Sequence, residues 1–178
     1  MNLAKANLFT VVQFGTKELF IEKLKMDGYS LSDVTNLRDD KNISLLEKSL
    51  ICRKFDLSQM LLEENVELNV VSDDNCNELH YLSANLGDGQ SFLLAKQLIE
   101  LGVNLNLPDK KYGNTPFWYL CHKAIQKNND EMNSLIVLCM KKAPNLDLKN
   151  VAGNTVKSMI RERGSEELKR IVLKEDNS

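Results

Sequence analysis

A pattern of apolar and polar positions recurs along the chain, and each copy predicts a helix followed by a polar break. Three segments end in similar phrases, which read QMLLEENVELNV (residues 59–70), QLIELGVNLNL (97–107) and VLCMKKAPNLDL (137–148). Each is followed by a polar turn and an opening such as GNTPFWYL (113–120). Self-similarity at a period of about 20–50 residues is typical of repeat architectures. The pattern therefore predicts an all-α chain of stacked helix–turn–helix units.

The period follows from the position that threonine holds in the phrase GNTP. Equivalent positions, at spacings of 33, 38 and 40 residues, are Ser44, Asn77, Thr115 and Thr155. The second helix of each central unit is predicted to start at Leu57, Leu94 and Leu135. The distance to the second helix grows along this series, so the extra residues are assigned to enlarged loops between the paired helices, at 86–92 and 127–131. Insertions in loops are what a repeat array tolerates.

These units resemble ankyrin repeats, whose period is about 33 residues. The best match is DKKYGNTPFWYL (109–120), set against the family's opening D-x-x-G-x-T-P-L-H-x-A. Leu79 and His80 match the Leu-His pair of that opening, and GVNLN (102–106) matches the G-A-D-V-N close. The resemblance covers nearly the whole chain. It implies an ankyrin-repeat solenoid of helix pairs with short β-turn fingers.

Several positions depart from the ankyrin pattern. Asn75 replaces the turn glycine, Glu78 replaces the proline and Trp118 replaces the histidine. The unit at 39–70 has no TPLH phrase at all. Divergence of this kind is common in terminal repeats and in bacterial members of the family, so the resemblance stands.

We predict a single domain of five repeats, including two degenerate caps. The boundaries are 1–34 for the N-terminal cap, 35–71, 72–108 and 109–149 for the central repeats, 150–173 for the C-terminal cap and 174–178 for a tail. Gly28 is predicted to stop the second helix of the first cap, and Ser165 is predicted to cap the last helix. Polar caps are needed because a repeat stack has two open ends.

One hydrophobic position recurs in the close of the repeats, and we expect it to be buried along a single seam. Its occupants are Leu31, Leu68, Leu105 and Leu146. Truncation of a fully buried leucine to alanine costs about 2–5 kcal/mol of stability. An alanine substitution at one of these leucines therefore tests the proposed alignment of the repeats.

The composition and charge of the chain argue against a nucleic-acid-binding or membrane-spanning protein. Hydrophobic residues make up 43% and charged residues 27% of the chain, which is ordinary for a globular protein. The net charge of −2 offers no positive field for nucleic acid, and no apolar run reaches the length of a membrane helix. The start, MNLAKANLFTVVQFG, superficially resembles a signal peptide. Polar residues interrupt its apolar run, so we interpret the segment as the first helix of the N-terminal cap.

The four cysteines include no C-x-x-C spacing, which favours a reducing cytoplasm and no disulfide framework. Cys121 and Cys139 fall at core positions of the repeat, whereas Cys76 falls in a turn and is expected to be exposed. Cys121 and His122 are the only adjacent pair of potential zinc ligands, so we predict no metal and no cofactor. His80 aligns with the family's histidine, which ties neighbouring repeats together by hydrogen bonds.

The remaining candidates lie on a surface that the resemblance assigns to binding. In ankyrin arrays the fingers and the first helix of each pair carry partner contacts. The matching residues here are Asp73, Asp74, Tyr81, Lys110, Lys111, Tyr112, Tyr119 and His122, with Asn85 and Lys123 beside them on the first helices. Tyr112 and Tyr119 are the best candidates for exposed aromatic hot spots, whereas Phe117 is predicted to be core and Trp118 partly buried.

The sequence therefore predicts a non-catalytic module that binds another protein, and a chain that is monomeric on its own. Its sharpest form is a bacterial immunity protein that occludes a cognate toxin domain. The alternative is an effector or general scaffold that recruits a host or cellular protein. An enzyme using Cys76 or His80 is a third possibility, which loss of activity on substitution of either residue would support.

Overall fold

The computed structural model describes residues 1–64, 66–87 and 89–173. In that part of the chain it contains ten helices and no strand, so the predicted all-α class is confirmed. The helices are α1 (Leu8–Phe14), α2 (Lys17–Asp27), α3 (Leu45–Ile51), α4 (Phe55–Glu63), α5 (Glu78–Asn85), α6 (Gly89–Glu100), α7 (Pro116–Lys127), α8 (Asp130–Met140), α9 (Val156–Arg163) and α10 (Glu166–Leu173). The predicted tail, 174–178, lies outside the described residues.

The helices form two layers of sequential pairs. Each helix packs against its immediate partner in α1/α2, α3/α4, α5/α6, α7/α8 and α9/α10. The first helices also pack in order, from α1 through α3, α5 and α7 to α9, and we call them the first-helix layer. Helices α4, α6, α8 and α10 form a second-helix layer in the same way. Contacts therefore run between neighbouring pairs, which is typical of quasi-one-dimensional arrays.

The four aligned positions that define the period are all helix N-caps. In each, the side-chain oxygen accepts a hydrogen bond from the backbone N–H three residues on. The caps of α3, α5, α7 and α9 are, in order, Ser44, Asn77, Thr115 and Thr155. Such a cap satisfies an N–H group that has no partner inside the helix. The period counted from the sequence therefore corresponds to real helix starts.

Short turns before α3, α5, α7 and α9 pack against one another, and we call them fingers. They span 39–43, 72–76, 109–114 and 150–154, and a backbone hydrogen bond of 2.9–3.0 Å joins the first and last residue of each. Neighbouring fingers are linked by backbone N–H to carbonyl bonds, from Asp73 to Lys41 (3.0 Å), from Lys110 to Asp74 (2.9 Å) and from Val151 to Tyr112 (2.8 Å). The fingers therefore hold a fixed order along one edge of the helix layers.

A residue with left-handed backbone lies in every finger turn. Gly113 and Gly153 have φ of 68° and 80°, and Asn42 and Asn75 have φ of 58° and 57°. Asparagine is one of the few residues other than glycine that adopt this conformation readily. The prediction that Asn75 replaces the turn glycine is confirmed. Its Nδ2 also donates to the carbonyl of Pro108 at 2.6 Å, a contact that glycine lacks.

The prediction of enlarged loops between paired helices is wrong. Only two residues separate α7 from α8, and α6 begins at Gly89, shortly after α5 ends at Asn85. The extra residues lengthen helices instead, because α6 and α7 have 12 residues each whereas α3 has 7 and α4 has 9. A longer helix pairs its backbone groups internally, whereas a loop needs other partners for them. Asp88, within one predicted loop, lies outside the described residues.

The predicted leucine seam is only partly correct. Leu105 is 5% exposed, whereas Leu31, Leu68 and Leu146 are half-buried and pack against the edge of the core. All four lie in the segments that lead from a second helix to the next finger, along the margin of the two layers. Apolar side chains at such a margin cover the core without being enclosed by it.

Both predicted cap signals at the ends of the array are confirmed. Gly28 follows α2 with φ of 75°, and its N–H bonds to carbonyl groups in the last turn. Ser165 Oγ accepts the N–H of Leu168 at 3.2 Å and starts α10. The helix ends are therefore set by local hydrogen bonds that the sequence encodes directly.

Candidate functional site

A cleft of about 430 Å³ opens on the first-helix layer between α3, α5 and α7, next to the fingers. This volume lies within the range of small ligand and side-chain pockets. From the fingers and helices the lining includes Ile51, Cys76, His80, Tyr81, Ala84, Asn85, Tyr119, His122, Lys123 and Gln126. The α7 residues are spaced i, i+3, i+4 and i+7, so one helix face supplies them. We refer to this site as the cleft.

Two tyrosines of the cleft are tied to the fingers in the same way. The hydroxyl of Tyr81 donates to Ser72 Oγ at 2.8 Å, and the hydroxyl of Tyr119 donates to Asp109 Oδ2 at 2.9 Å. Ser72 and Asp109 are the first residues of their fingers. Burial raises the pKa of both phenols to about 12. The rings are therefore neutral and held in place.

Asp109 is the anchor of the third finger. Its side chain is buried and accepts the backbone N–H of Tyr112 at 2.6 Å and that of Asn114 at 3.2 Å. The hydroxyl of Tyr119 is its third donor. The finger and the cleft therefore share one carboxylate, a link that sequence reasoning missed because the partners lie on different elements.

His80 is a structural residue in this arrangement. Its Nδ1 lies 2.9 Å from Asn77 Oδ1, and its Nε2 lies 3.3 Å from the carbonyl oxygen of Asn114 in the next repeat. Burial lowers the pKa of the imidazole, so the ring is neutral. Both ring nitrogens are thus engaged in ties within and between repeats, as the resemblance implied.

His122 has a different setting on the open side of the cleft. Its ring stacks on Trp118, with centroids 5.2 Å apart and planes 8° from parallel. Burial lowers the pKa of His122, and the positive charges of Arg163 and Lys123 lower it further. We call Lys123, which lines the cleft, and Arg163, whose charge acts on His122, the cationic rim.

The thiol of Cys76 lies at the finger end of the cleft and is half-buried, so the expectation that it is exposed is wrong. Burial, followed by the charge of Asp109, raises its pKa to about 12. Since the thiolate is the reactive form, this cysteine is a poor nucleophile at neutral pH. Cys121 and Cys139 are fully buried, as predicted for core positions.

The finger candidates are exposed but are not part of the cleft. Asp73, Asp74, Lys110 and Lys111 project into solvent from adjacent fingers, and Tyr112 is 50% exposed. The ammonium of Lys111 lies over the Tyr112 ring, 4.7 Å from its centroid. The fingers therefore present a mixed-charge surface beside the cleft.

The structure thus divides the predicted binding residues into two groups. Tyr81, Tyr119 and His122 lie together in the cleft, whereas the five finger residues lie along its edge. Tyr119 is half-buried rather than exposed, because its hydroxyl reaches the finger. Ile51, Ala84 and Gln126 were not predicted. Ala84 lies three residues after Tyr81, and Gln126 lies seven residues after Tyr119. Helical spacing from the predicted tyrosines is therefore the signal that could have identified both.

Neither a scan against protein-family models nor a search of curated proteins finds a match to this chain. Among the described residues, no three His, Cys, Asp or Glu side chains cluster as metal ligands would. No helix in residues 1–64, 66–87 and 89–173 has the length and apolar character needed to cross a membrane. Functional inference for this chain therefore rests on the cleft and its surroundings.

Proposed function

We propose that this chain is an ankyrin-type solenoid that binds another protein through the cleft and the fingers. Three features support the ankyrin assignment: sequential helix pairs, N-caps at the repeat period, and hydrogen-bonded fingers with left-handed turns. The five helix pairs support the proposed number of repeats. In arrays of this kind the first helices and fingers form the binding surface.

The observation that carries the binding role is the pair of fixed tyrosine rings in the cleft. Tyrosine is enriched at interface hot spots, because a large amphipathic ring contributes apolar contact and a polar edge. Rings already held by hydrogen bonds lose little conformational freedom when a partner docks. Tyr81 and Tyr119 meet both conditions.

As the biological role we propose immunity, in which the chain occludes a cognate toxin domain in the cytoplasm. A binding protein that covers a toxin's active surface needs no chemistry of its own, and a standard-size interface is sufficient. Cys76 and His80, the two candidates for an enzyme, are engaged structurally or are poorly reactive. Recruitment of a cellular partner by an effector or scaffold would use the same surface.

The test fills the cleft without disturbing the core. Ala84 is exposed and lines the cleft, so Ala84→Trp adds bulk at its opening. We expect the variant to bind the protein encoded beside this gene at least about tenfold more weakly than wild type, as hot-spot loss usually does. Calorimetry measures the affinity, and rescue of growth on co-expression with that protein measures immunity.

A matched control lies on the second-helix layer. The double substitution Lys96→Ala with Glu100→Ala alters α6 away from the cleft, and binding is expected to stay unchanged. If this pair weakens binding while Ala84→Trp does not, the binding surface is on the other layer. Binding without growth rescue favours the scaffold role over immunity.

A further inference from the structure

The described lining of the cleft holds a cation but no carboxylate, and this difference indicates the charge of the group that the cleft accepts. Lys123 and His122 line the cleft, and no Asp or Glu is among its described lining residues. Arg163 is close enough to lower the pKa of His122 together with Lys123. The open side of the cleft therefore carries positive charge with no carboxylate in its wall.

The two cations of the rim also lack ion-pair partners in the described part of the chain. The ion pairs found there involve Lys23, Arg38, Lys157 and Lys169, and none includes Lys123 or Arg163. Lys123 is half-buried and lines the cleft, and a lysine stem commonly packs on apolar surface while its ammonium stays at the opening. An ammonium without an ion-pair partner at the opening of a cleft can pair with an external anion.

The carboxylates nearest the cleft lie at its finger end, where the charges of Asp109 and Asp74 add to the effect of burial and raise the pKa of Cys76. Lys123 and His122 line the cleft from α7 instead. The positive charge of the cleft is therefore confined to its α7 side, which favours an acidic contact there.

The floor of the cleft is apolar and aromatic. Tyr81 and Tyr119 present rings whose hydroxyl groups are already bonded to the fingers, and Ile51 and Ala84 add aliphatic surface. An apolar side chain on this floor lies next to the cations of the rim. The arrangement fits a short segment in which an apolar side chain and a carboxylate are adjacent.

We propose that the partner protein inserts an acidic-apolar segment, with its apolar side chain on the tyrosine floor and its carboxylate at Lys123. This inference rests on the proposed function, since it specifies which part of the partner the cleft receives. His122 lies beside the carboxylate position and reports its arrival. An opposite charge a few ångströms away favours the imidazolium form and raises the pKa of the ring.

Two small probes that differ only in charge test the proposal. N-acetyl-phenylalanine carries a carboxylate next to an aromatic side chain, and N-acetyl-phenylalaninamide is its neutral counterpart. We expect the carboxylate to bind about fivefold or more tightly than the amide, with a preference that declines as salt rises. We also expect it to raise the pKa of His122 in an NMR titration.

The chain provides an internal reference because it has two histidines. His80 also lines the cleft, but its ring nitrogens are bonded within the array, so its pKa should be the same with either probe and its imidazole signal reports intact folding. The double variant Lys123→Gln with Arg163→Gln should bind both probes equally. The control Lys96→Gln, on the second-helix layer, should retain the preference for the carboxylate.

Equal binding of the two probes by wild type, no binding of either, or an unchanged pKa of His122 would each overturn the acidic-segment proposal. Those outcomes are separable from failure of the proposed function. If Ala84→Trp still abolishes binding of the partner protein, the cleft is the interface and only its charge preference was wrong. If Ala84→Trp leaves partner binding intact, the proposed function itself fails.

Discussion

At the scale of single residues, the residue three positions after the N-cap has a different role in different helices. His80 fills this position in α5 and reaches the carbonyl of Asn114. Glu47 fills the same position in α3, where Oε2 accepts the N–H of Ser44 at 2.7 Å. Its Oε1 is buried and has no hydrogen-bond partner among the described residues. A carboxyl group here is costly when charged, because an unpaired buried charge loses its hydration.

Glu47 should make stability depend on pH. Burial, reinforced by the charge of Glu78, raises its pKa from 4.5 to about 8 although Arg38 partly opposes this shift. A raised folded-state pKa gives stability that is fully present below pH 4.5 and is lost as pH rises to about 8. We expect the free energy of unfolding to fall by up to about 1.4 kcal/mol per pH unit in that window from this group.

The variant Glu47→Gln isolates the effect, because glutamine keeps the shape and does not titrate. Urea denaturation across the window should give a flatter profile for Glu47→Gln than for wild type. Charged or titratable neighbours, namely Arg38, Cys76, Glu78 and Tyr81, are unchanged in both proteins. Glu22→Gln, on the exposed side of α2, serves as control. Parallel wild-type and Glu47→Gln profiles would contradict the prediction.

At the scale of elements, helix starts are local features but their caps also join repeats. Asn77 caps α5 through the N–H of His80, and its Nδ2 donates to the carbonyl of Asn104 at 2.9 Å. Thr155 caps α9 through the N–H of Ser158. Thr155, near the end of the array, therefore stabilises its own helix, whereas Asn77, in the centre, also links two neighbouring repeats.

Asn77→Ala should cost more stability than Thr155→Ala. Loss of a cap costs about 1 kcal/mol, and loss of the hydrogen bond to the Asn104 carbonyl adds roughly another 1 kcal/mol. We therefore expect about 2 kcal/mol for Asn77→Ala and about 1 kcal/mol for Thr155→Ala by chemical denaturation. Equal losses would mean that the bond to Asn104 contributes nothing to the interface between repeats.

At the scale of the whole molecule, one core extends through both helix layers from α1 to α10. Its buried members come from every helix pair, and the four segments that lead to the fingers cover its margin. The burial of the equivalent leucine in each of these segments therefore varies along the array. Leu105 is enclosed, whereas Leu31 at the N-terminal end is half-buried.

Leu105→Ala should destabilise the protein by about 2–5 kcal/mol, the usual cost of removing a buried leucine side chain. Leu31→Ala should cost less than half as much, since its side chain transfers less apolar surface from water. Denaturant midpoints of the two variants at constant slope measure the difference. A Leu105→Ala variant as stable as wild type would count against the repeat register.

The sequence by itself determined the features that depend on neighbours along the chain. These features include N-caps such as Thr115, left-handed turn residues such as Asn75, and the helix stop at Gly28. Each depends on hydrogen bonds that span a few residues, so each can be predicted from a short stretch of sequence. The period of the array follows from the same signals. The placement of Tyr119, His122 and Lys123 on one face of α7 also follows, because residues at i, i+3 and i+4 share a helix face.

Only the tertiary structure decided which of these residues meet and which charges remain unpaired. The bond from Tyr119 to Asp109, the enclosure of Leu105 and the burial of Cys76 depend on segments that are distant in sequence or on packing from both layers. The lengthening of α6 and α7, where loops were expected, depends on packing against neighbouring helices that sequence spacing does not encode. The charge of Arg163 acts on His122 only because α9 packs against α7, and the described lining of the cleft holds Lys123 but no carboxylate.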